Sequence, residues 1–358
     1  MSSLQDFLLS AKTKKDYARI VVLGNEAADL DSMVSAITYG YLLSRKDSAT
    51  VVLPLMPIPR ADFKLRTEAV YVFEEAGIDL DSVTFFDEVD FDKLMDSGAG
   101  LVLVDHNRLC PSLDRYGSQV TAVLDHHVDE GLYGEASPRI IQQIGSTTTL
   151  VGMAYMAAGT GISESIAILL CGTILLDTVN LAQKAGRVTD DDISVAETLL
   201  PLCPLIADEF FDNIQREKCN ITGLSTRELL RKDYKEFVFS GLRCGISSAR
   251  LSIQQWQEID SDIFSSFADF AVLRGLDVLL SMNAFTDPDF SRDMVVYCTT
   301  RERHDALILC LQNNFLGLVP RVCSGMENNN RGSISCYRQG NLGISRKKLQ
   351  PLLAELYK

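Results

Sequence analysis

Three of the four histidines in this 358-residue chain fall in two short motifs, and each motif ends an apolar run. Leu101-Val102-Leu103-Val104 runs into Asp105-His106-Asn107, and Val120-Thr121-Ala122-Val123-Leu124 runs into Asp125-His126-His127. A third turn, Asn25-Glu26-Ala27-Ala28-Asp29-Leu30-Asp31-Ser32, follows Ile20-Val21-Val22-Leu23-Gly24. Carboxylates and neutral imidazoles are ligands for divalent cations. Carboxylates as close as Asp29 and Asp31 repel unless a proton or a cation intervenes. Helix capping by Asp31 or Ser32 is the simpler alternative, but three such turns together point to metal chemistry. Asp105 is placed to bridge two cations about 4 Å apart, the arrangement that suits phosphate-bond hydrolysis. His126 reads as a ligand whose tautomer Asp125 fixes from behind, and His127 as a contact for phosphate oxygen. Asp177 closes Ile174-Leu175-Leu176 at the end of an apolar helix. A carboxylate there opposes the helix dipole, so a metal partner accounts for it best.

These residues need a scaffold that gathers strand ends. Short apolar strands at Ile20–Leu23, Ala49–Leu53, Val83–Phe86, Leu101–Val104 and Val120–Leu124 alternate with helical spacing at Ser32–Leu43 and Leu65–Ala76. That alternation predicts a doubly wound, mainly parallel α/β sheet. Such sheets bind ligands beyond the carboxyl ends of their strands. Helices are predicted over Thr147–Ala158, Ser163–Leu175, Asp190–Leu200 and Ile206–Glu217. After a polar break the remainder mixes strands (Gly241–Ser247, Val278–Phe285, Met294–Thr299, Ser333–Tyr337) with helices (Ser252–Leu273, His304–Asn314, Gln350–Tyr357). We therefore expect a catalytic metal-binding domain at 1–200, a helical linker at 201–222 and a smaller α+β domain at 223–358.

Apolar residues make up 46% and charged residues 23%, ordinary for a globular chain with a real core. The net charge of −14 comes with no dominant basic stripe, which argues against nucleic acid as a partner. The longest apolar stretch, Ser165 to Leu176, is too short to span a membrane. Nine cysteines without a CxxC pair, and a start without a signal-peptide pattern, lead us to expect reduced thiols and a cytoplasmic location. We also expect a monomer.

Gly24-Asn25-Glu26-x-x-Asp29-Leu30-Asp31-Ser32, Val104-Asp105-His106-Asn107, Leu124-Asp125-His126-His127 and Leu176-Asp177-Thr178 together resemble the four motifs of the DHH phosphoesterase superfamily. Lys232-Asp233-Tyr234-Lys235-Glu236-Phe237 and Ser345-Arg346-Lys347-Lys348-Leu349-Gln350-Pro351 resemble the lysine and arginine–lysine motifs of its accessory DHHA2 domain. That domain is shared by manganese-type inorganic pyrophosphatases, prune-type proteins and exopolyphosphatases of the budding-yeast cytosolic type. The resemblance implies an active site in the cleft between the two domains. Asp29 and Asp105, with Asn25 as a weak ligand, would hold one metal, and Asp31, Asp105, His126 and Asp177 the other. His127, Lys235, Arg346 and Lys347 would bind substrate, while Asp125 and His106 would act from behind the ligands. Pyrophosphatases of the family carry His where this chain has Asn25. Oxygen there favours Mg²⁺, with Mn²⁺ or Co²⁺ as alternatives. Ile58-Pro59-Arg60-x-Asp62, Leu65-Arg66 and the Leu229–Lys235 segment are most similar to the exopolyphosphatases. The expectation is hydrolysis of the terminal phosphate of linear inorganic polyphosphate by hydroxide activated on two metals. Pyrophosphatase, nucleotide phosphodiesterase and a non-enzymatic signalling role remain as alternatives. Three cations beginning a helix oppose its dipole, so Arg346-Lys347-Lys348 is expected to meet an anion.

Overall fold

The computed structural model describes residues 3–286, 289–314, 316–321 and 331–357. The chain divides into two compact units, Met1–Asn220 and Ile221–Lys358. In the first, six parallel strands follow the order β3-β2-β1-β4-β5-β6. They are β1 (Ile20–Leu23), β2 (Val52–Met56), β3 (Thr84–Phe85), β4 (Gly100–Val104), β5 (Val120–Asp125) and β6 (Arg139–Ile141). Consecutive residues of β1, β2 and β4 are buried, as expected where both faces of a parallel sheet are covered. Each fully buried aliphatic side chain there contributes about 1.5–3 kcal/mol over exposure. The order reverses between β1 and β4, and that switch point is where open sheets leave a crevice at the strand ends. β1 and β4 pair in register from Ile20↔Gly100 to Leu23↔Leu103, so the turns that follow them start side by side.

The helix Leu30–Lys46 leaves the first of these turns, and Thr147–Ala158 and Glu164–Asp177 pack with it. The segment expected to be a linker carries the helix Ala207–Cys219. Its Phe210 and Ile214 are buried in the core of the first unit, whose boundary falls after Asn220. Gly172 permits this: a Cβ there would lie 2.8 Å from the Phe210 ring. β6 was not anticipated because Arg139-Ile140-Ile141 is too short to show a period.

The second unit holds a mixed sheet of order β11-β12-β10-β9-β8-β7, antiparallel except for the β8–β9 pair. Its strands are β7 (Tyr234–Phe239), β8 (Leu242–Ser247), β9 (Val278–Thr286), β10 (Phe290–Cys298), β11 (Leu318–Arg321) and β12 (Ser333–Gln339). Leu307 and Leu311 of one helix and Leu349 and Leu353 of another pack against Val278, Leu280, Met294 and Val296. The single helix expected over Ser252–Leu273 is two, Ile253–Ile259 and Ile263–Arg274, because Ser252 caps the first and Asp260 ends it. Among the described residues no helix is long and apolar enough to cross a membrane.

Candidate metal centre

Gly24 begins the site because nothing larger fits. A Cβ there would lie 2.0 Å from Ser32 Oγ, which accepts the Asn25 backbone N–H at 2.8 Å. Ala28 then takes a positive φ of 45°, and Arg66 clamps the turn by donating to the Ala27 and Ala28 carbonyls. Asp29 follows as N-cap of the helix Leu30–Lys46, accepting the Ser32 N–H at 3.1 Å. It therefore caps a helix and lines the cavity at once.

Asp31 is buried and held by the start of the helix Thr147–Ala158. It accepts from Ser146 Oγ (2.9 Å), Thr147 N–H (2.7 Å) and Thr148 N–H (2.9 Å). Burial raises its carboxyl above the ordinary value, attraction to His126 opposes that, and Asp29 adds to it. Asp105 is buried at the end of β4 with φ of 61°, a left-handed conformation tolerated best by Asp and Asn among non-glycine residues. Burial, then Asp31 and Asp29, push its carboxyl up to about 10. Asp177 ends the helix Glu164–Asp177, and its Oδ2 is buried without a hydrogen-bond partner. Burial and then Asp31 hold it well above the usual carboxylate range. A buried carboxylate oxygen without a partner costs about 1–3 kcal/mol or more.

His126 faces this group. Its Nε2 lies 3.3 Å from Asp105 Oδ1 and 3.8 Å from Asp31 Oδ2, and its Nδ1 lies 3.0 Å from the Ile144 carbonyl. Nδ1–H donates to that carbonyl, so Nε2 is the ring nitrogen turned toward the carboxylates. Here the structure corrects the expected partner: Asp125 does not set the His126 tautomer. Asp125 Oδ1 accepts His127 Nδ1–H at 2.8 Å and the backbone N–H groups of His126 and His127. Burial alone would raise the Asp125 carboxyl, but hydrogen bonds from His127 and Asn107 bring it below the ordinary value. The same bond raises His127 against the opposing effect of burial.

The ligand atoms of Asp105, His126 and His127 lie within 4.8 Å of one another. With Asp29, Asp31 and Asp177 they line a cavity of about 590 Å³. The residues fit divalent cations: oxygens and one imidazole nitrogen converge, three of the carboxyls resist ionisation, and one buried oxygen lacks any donor. Asn25 is placed differently from a ligand. Its Oδ1 accepts from the Ala27 and Ala28 N–H groups, and its Nδ2 donates to Asp105. His106 bonds the Val104 carbonyl, is lowered by burial, and lines a second cavity of about 490 Å³ with Asn25.

Lys235, Arg346 and Lys347 lie in the second unit. Lys235 is exposed on β7, and Lys347 is exposed in the first turn of the helix Arg346–Leu356. Arg346 is not free to oppose the helix dipole, since its guanidinium pairs with Asp233 at 2.6 Å.

Sequence reasoning missed the framework that fixes the site. Gly145-Ser146-Thr147-Thr148 looks like an ordinary polar turn, yet it wraps Asp31. Asp192 was unremarked within Asp190-Asp191-Asp192, yet it is fully buried. It accepts from Gly145 N–H (2.9 Å), Thr149 Oγ1 (2.6 Å), Thr189 N–H (2.8 Å) and Thr189 Oγ1 (2.8 Å). Asp192→Ala should lower stability by about 3 kcal/mol, because several buried donors lose a charged acceptor. Urea melts check this; a change under 1 kcal/mol would show that Asp192 does not fix the loop.

Known proteins resemble this chain along nearly its whole length. Residues 19–174 match the DHH family N-terminal domain and residues 212–356 the DHHA2 domain. A Schizosaccharomyces pombe protein provisionally named an exopolyphosphatase is 32% identical over 99% of this chain and 95% of its own length. The mouse exopolyphosphatase PRUNE1 is 31% identical over 98% of this chain and 79% of its own. A manganese-dependent inorganic pyrophosphatase from Methanothrix thermoacetophila is 29% identical over 63% and 68%. In fold, a Methanococcus jannaschii crystal structure, provisionally a family II inorganic pyrophosphatase, superimposes with a TM-score of 0.55 at 20% identity, over 94% of this chain and 99% of that one. With both domains matched in order and a relative aligned along nearly its whole length, the chain belongs to the DHH phosphoesterase superfamily, as an N-terminal DHH domain followed by a DHHA2 domain.

Proposed function

We propose that this protein is a metal-dependent exopolyphosphatase that hydrolyses the terminal phosphoric anhydride of linear polyphosphate and releases orthophosphate. The observation that carries the reading is the cluster of Asp31, Asp105 and Asp177. Its carboxyls are held above their ordinary values, a buried oxygen of Asp177 has no donor, and the His126 Nε2 faces Asp31 and Asp105. Asp29, Asp31, Asp105, His126 and Asp177 would hold two divalent cations, with Mg²⁺ favoured over Mn²⁺ and Co²⁺. When bound, such cations supply Lewis acidity toward phosphoryl oxygen and make water acidic enough to attack at neutral pH.

The protein's own residues do the rest. Asn25 donates to Asp105 and so holds the rotamer of a carboxylate that would serve both cations. Ser146, Thr147 and Thr148 do the same for Asp31. Asp125 keeps His127 protonated at Nδ1, and its raised affinity for a second proton lets His127 present a cationic donor to the leaving phosphate. The scissile bond separates two phosphates, so the leaving group needs charge neutralisation more than a strong acid. Lys235, Arg346 and Lys347 would bind oxygens along the chain, Arg346 by exchanging its Asp233 partner for phosphate. Lys347→Ala should lower kcat/KM for tripolyphosphate about tenfold, the cost of one charge-assisted hydrogen bond. Its exposure predicts an unchanged melting temperature. Equal kcat/KM in variant and wild type would remove Lys347 from the substrate site.

The pyrophosphatase relative favours pyrophosphate as a second reading. Phosphate release from tripolyphosphate, long polyphosphate, pyrophosphate, nucleoside tetraphosphate and cyclic nucleotide, under Mg²⁺ and Mn²⁺ separately, distinguishes the readings. The proposal requires linear polyphosphates to exceed pyrophosphate in kcat/KM. The reverse order would make the protein a pyrophosphatase, and cyclic-nucleotide turnover alone would make it a phosphodiesterase.

A further inference from the structure

Arg187 lines the metal cavity, yet nothing in the motifs points to it. It shares the wall with Asp29, Asp31, Asp105 and Asp177, and no other lysine or arginine lines that cavity among the described residues. Its side chain is exposed, and it forms no ion pair or side-chain hydrogen bond among the described residues. A guanidinium that shares a cavity wall with four aspartates and pairs with none of them is placed for something other than those carboxylates.

Its backbone is fixed from both sides. After Asp177 the chain passes through three successive left-handed residues, Val179, Asn180 and Leu181. Such a conformation costs about 1–2 kcal/mol per L-residue, and here it turns the chain so that Gly186–Thr189 lines the same cavity as Asp177. The Arg187 carbonyl packs against Gly145, where a Cβ would come within 2.8 Å of it. Two residues on, Thr189 is tied to Asp192, which also holds Gly145 N–H. The loop that wraps Asp31 and the segment that carries Arg187 are thus one hydrogen-bonded unit.

We propose that Arg187 binds the phosphoryl group at the reacting end of the substrate, and the orthophosphate it becomes. Two divalent cations would only balance the four aspartates of the wall, so the charge of the arriving phosphate calls for a further cation. Guanidinium meets two phosphate oxygens at once, which sets orientation as well as charge. This rests on the phosphohydrolase reading above but adds a residue that no metal motif contains.

The test uses the full chain with Mn²⁺, measuring inorganic phosphate affinity by calorimetry beside kcat and KM on tripolyphosphate. Arg187→Ala should weaken phosphate binding and kcat/KM about 10- to 100-fold. Mn²⁺ affinity should hold or rise, and the melting temperature in chelator should not change. Arg187→Lys should recover part of the loss. Phosphate affinity and kcat/KM within twofold of wild type in Arg187→Ala would overturn the proposal while leaving the hydrolase reading intact. A wild type that binds phosphate through Arg187 but hydrolyses no phosphoanhydride would overturn the reading and keep the binding site. A wild type that binds no phosphate would overturn both.

Discussion

Asp105→Asn should abolish phosphate release while making the metal-free protein more heat-stable. Asparagine keeps the shape and tolerates the left-handed φ of 61°, whereas alanine would add backbone strain to the chemical loss. The amide cannot supply the negative charge that the Asp105 carboxylate would give to the two proposed cations. A loss of about 4 kcal/mol of transition-state stabilisation corresponds to about 10³-fold in rate. The opposite sign for stability follows from the same geometry. Burial and the neighbouring Asp31 and Asp29 hold the Asp105 carboxyl near 10, so the metal-free fold must keep a proton there or bear a buried charge. The neutral amide removes that cost. Activity within tenfold of wild type in the folded variant would end the account of Asp105 as the shared ligand, and a lower melting temperature in chelator would contradict its electrostatics.

Chelation should destabilise the first unit, and more so at high pH. The folded-state values of Asp31, Asp105 and Asp177 are raised above those of the unfolded chain. The stability they contribute is therefore complete below about pH 4, the unfolded value. It is lost progressively as pH rises toward about 10 for Asp105. Divalent cations bind the deprotonated forms and displace those protons. Their stabilising effect thus grows with pH over the same window. At a free concentration about 100 times the dissociation constant, stabilisation is about 2.7 kcal/mol, or about 5 to 10 °C for a unit of this size. Calorimetric melts at pH 5 and pH 8, with Mg²⁺ or with chelator, check this. A shift that is equal at the two pH values, or larger at pH 5, would show that cations do not bind these carboxylates.

Much of the candidate centre could be read from the residues alone, for a physical reason. Asp29, Asp31, Asp105, His126, His127 and Asp177 all sit at element ends, where an apolar run stops and a charged residue stands out. The structure brings these six to one cavity. What stayed hidden depends on contacts between distant segments. The His126 Nδ1 is held by the Ile144 carbonyl, eighteen residues on, and no side chain announces a backbone acceptor. Asn107 reaches Asp125 across β4 and β5, so the Asp-His-Asn motif supports the other histidine motif instead of offering His106. The carbonyl oxygen of Asn25 is already taken by the amides of its own turn. Arg346 finds Asp233 from over a hundred residues away, a pairing no local pattern could show. In the fold, β1, β4 and β5 stood out because buried parallel strands are continuous apolar runs. β7 did not: Tyr234–Phe239 alternates charged, aromatic and aliphatic residues and is only half-buried.

The most direct measurement is ³¹P nuclear magnetic resonance of the Mg²⁺-loaded protein turning over long linear polyphosphate. Hydrolysis from the chain ends should raise the orthophosphate signal while the number of chain-end phosphates stays constant, and chelator or Asp105→Asn should stop that rise. An increase in chain-end signals without orthophosphate would mean internal cleavage. No change in any phosphorus signal, with metal bound and the protein folded, would contradict the assignment of this site to phosphoanhydride hydrolysis.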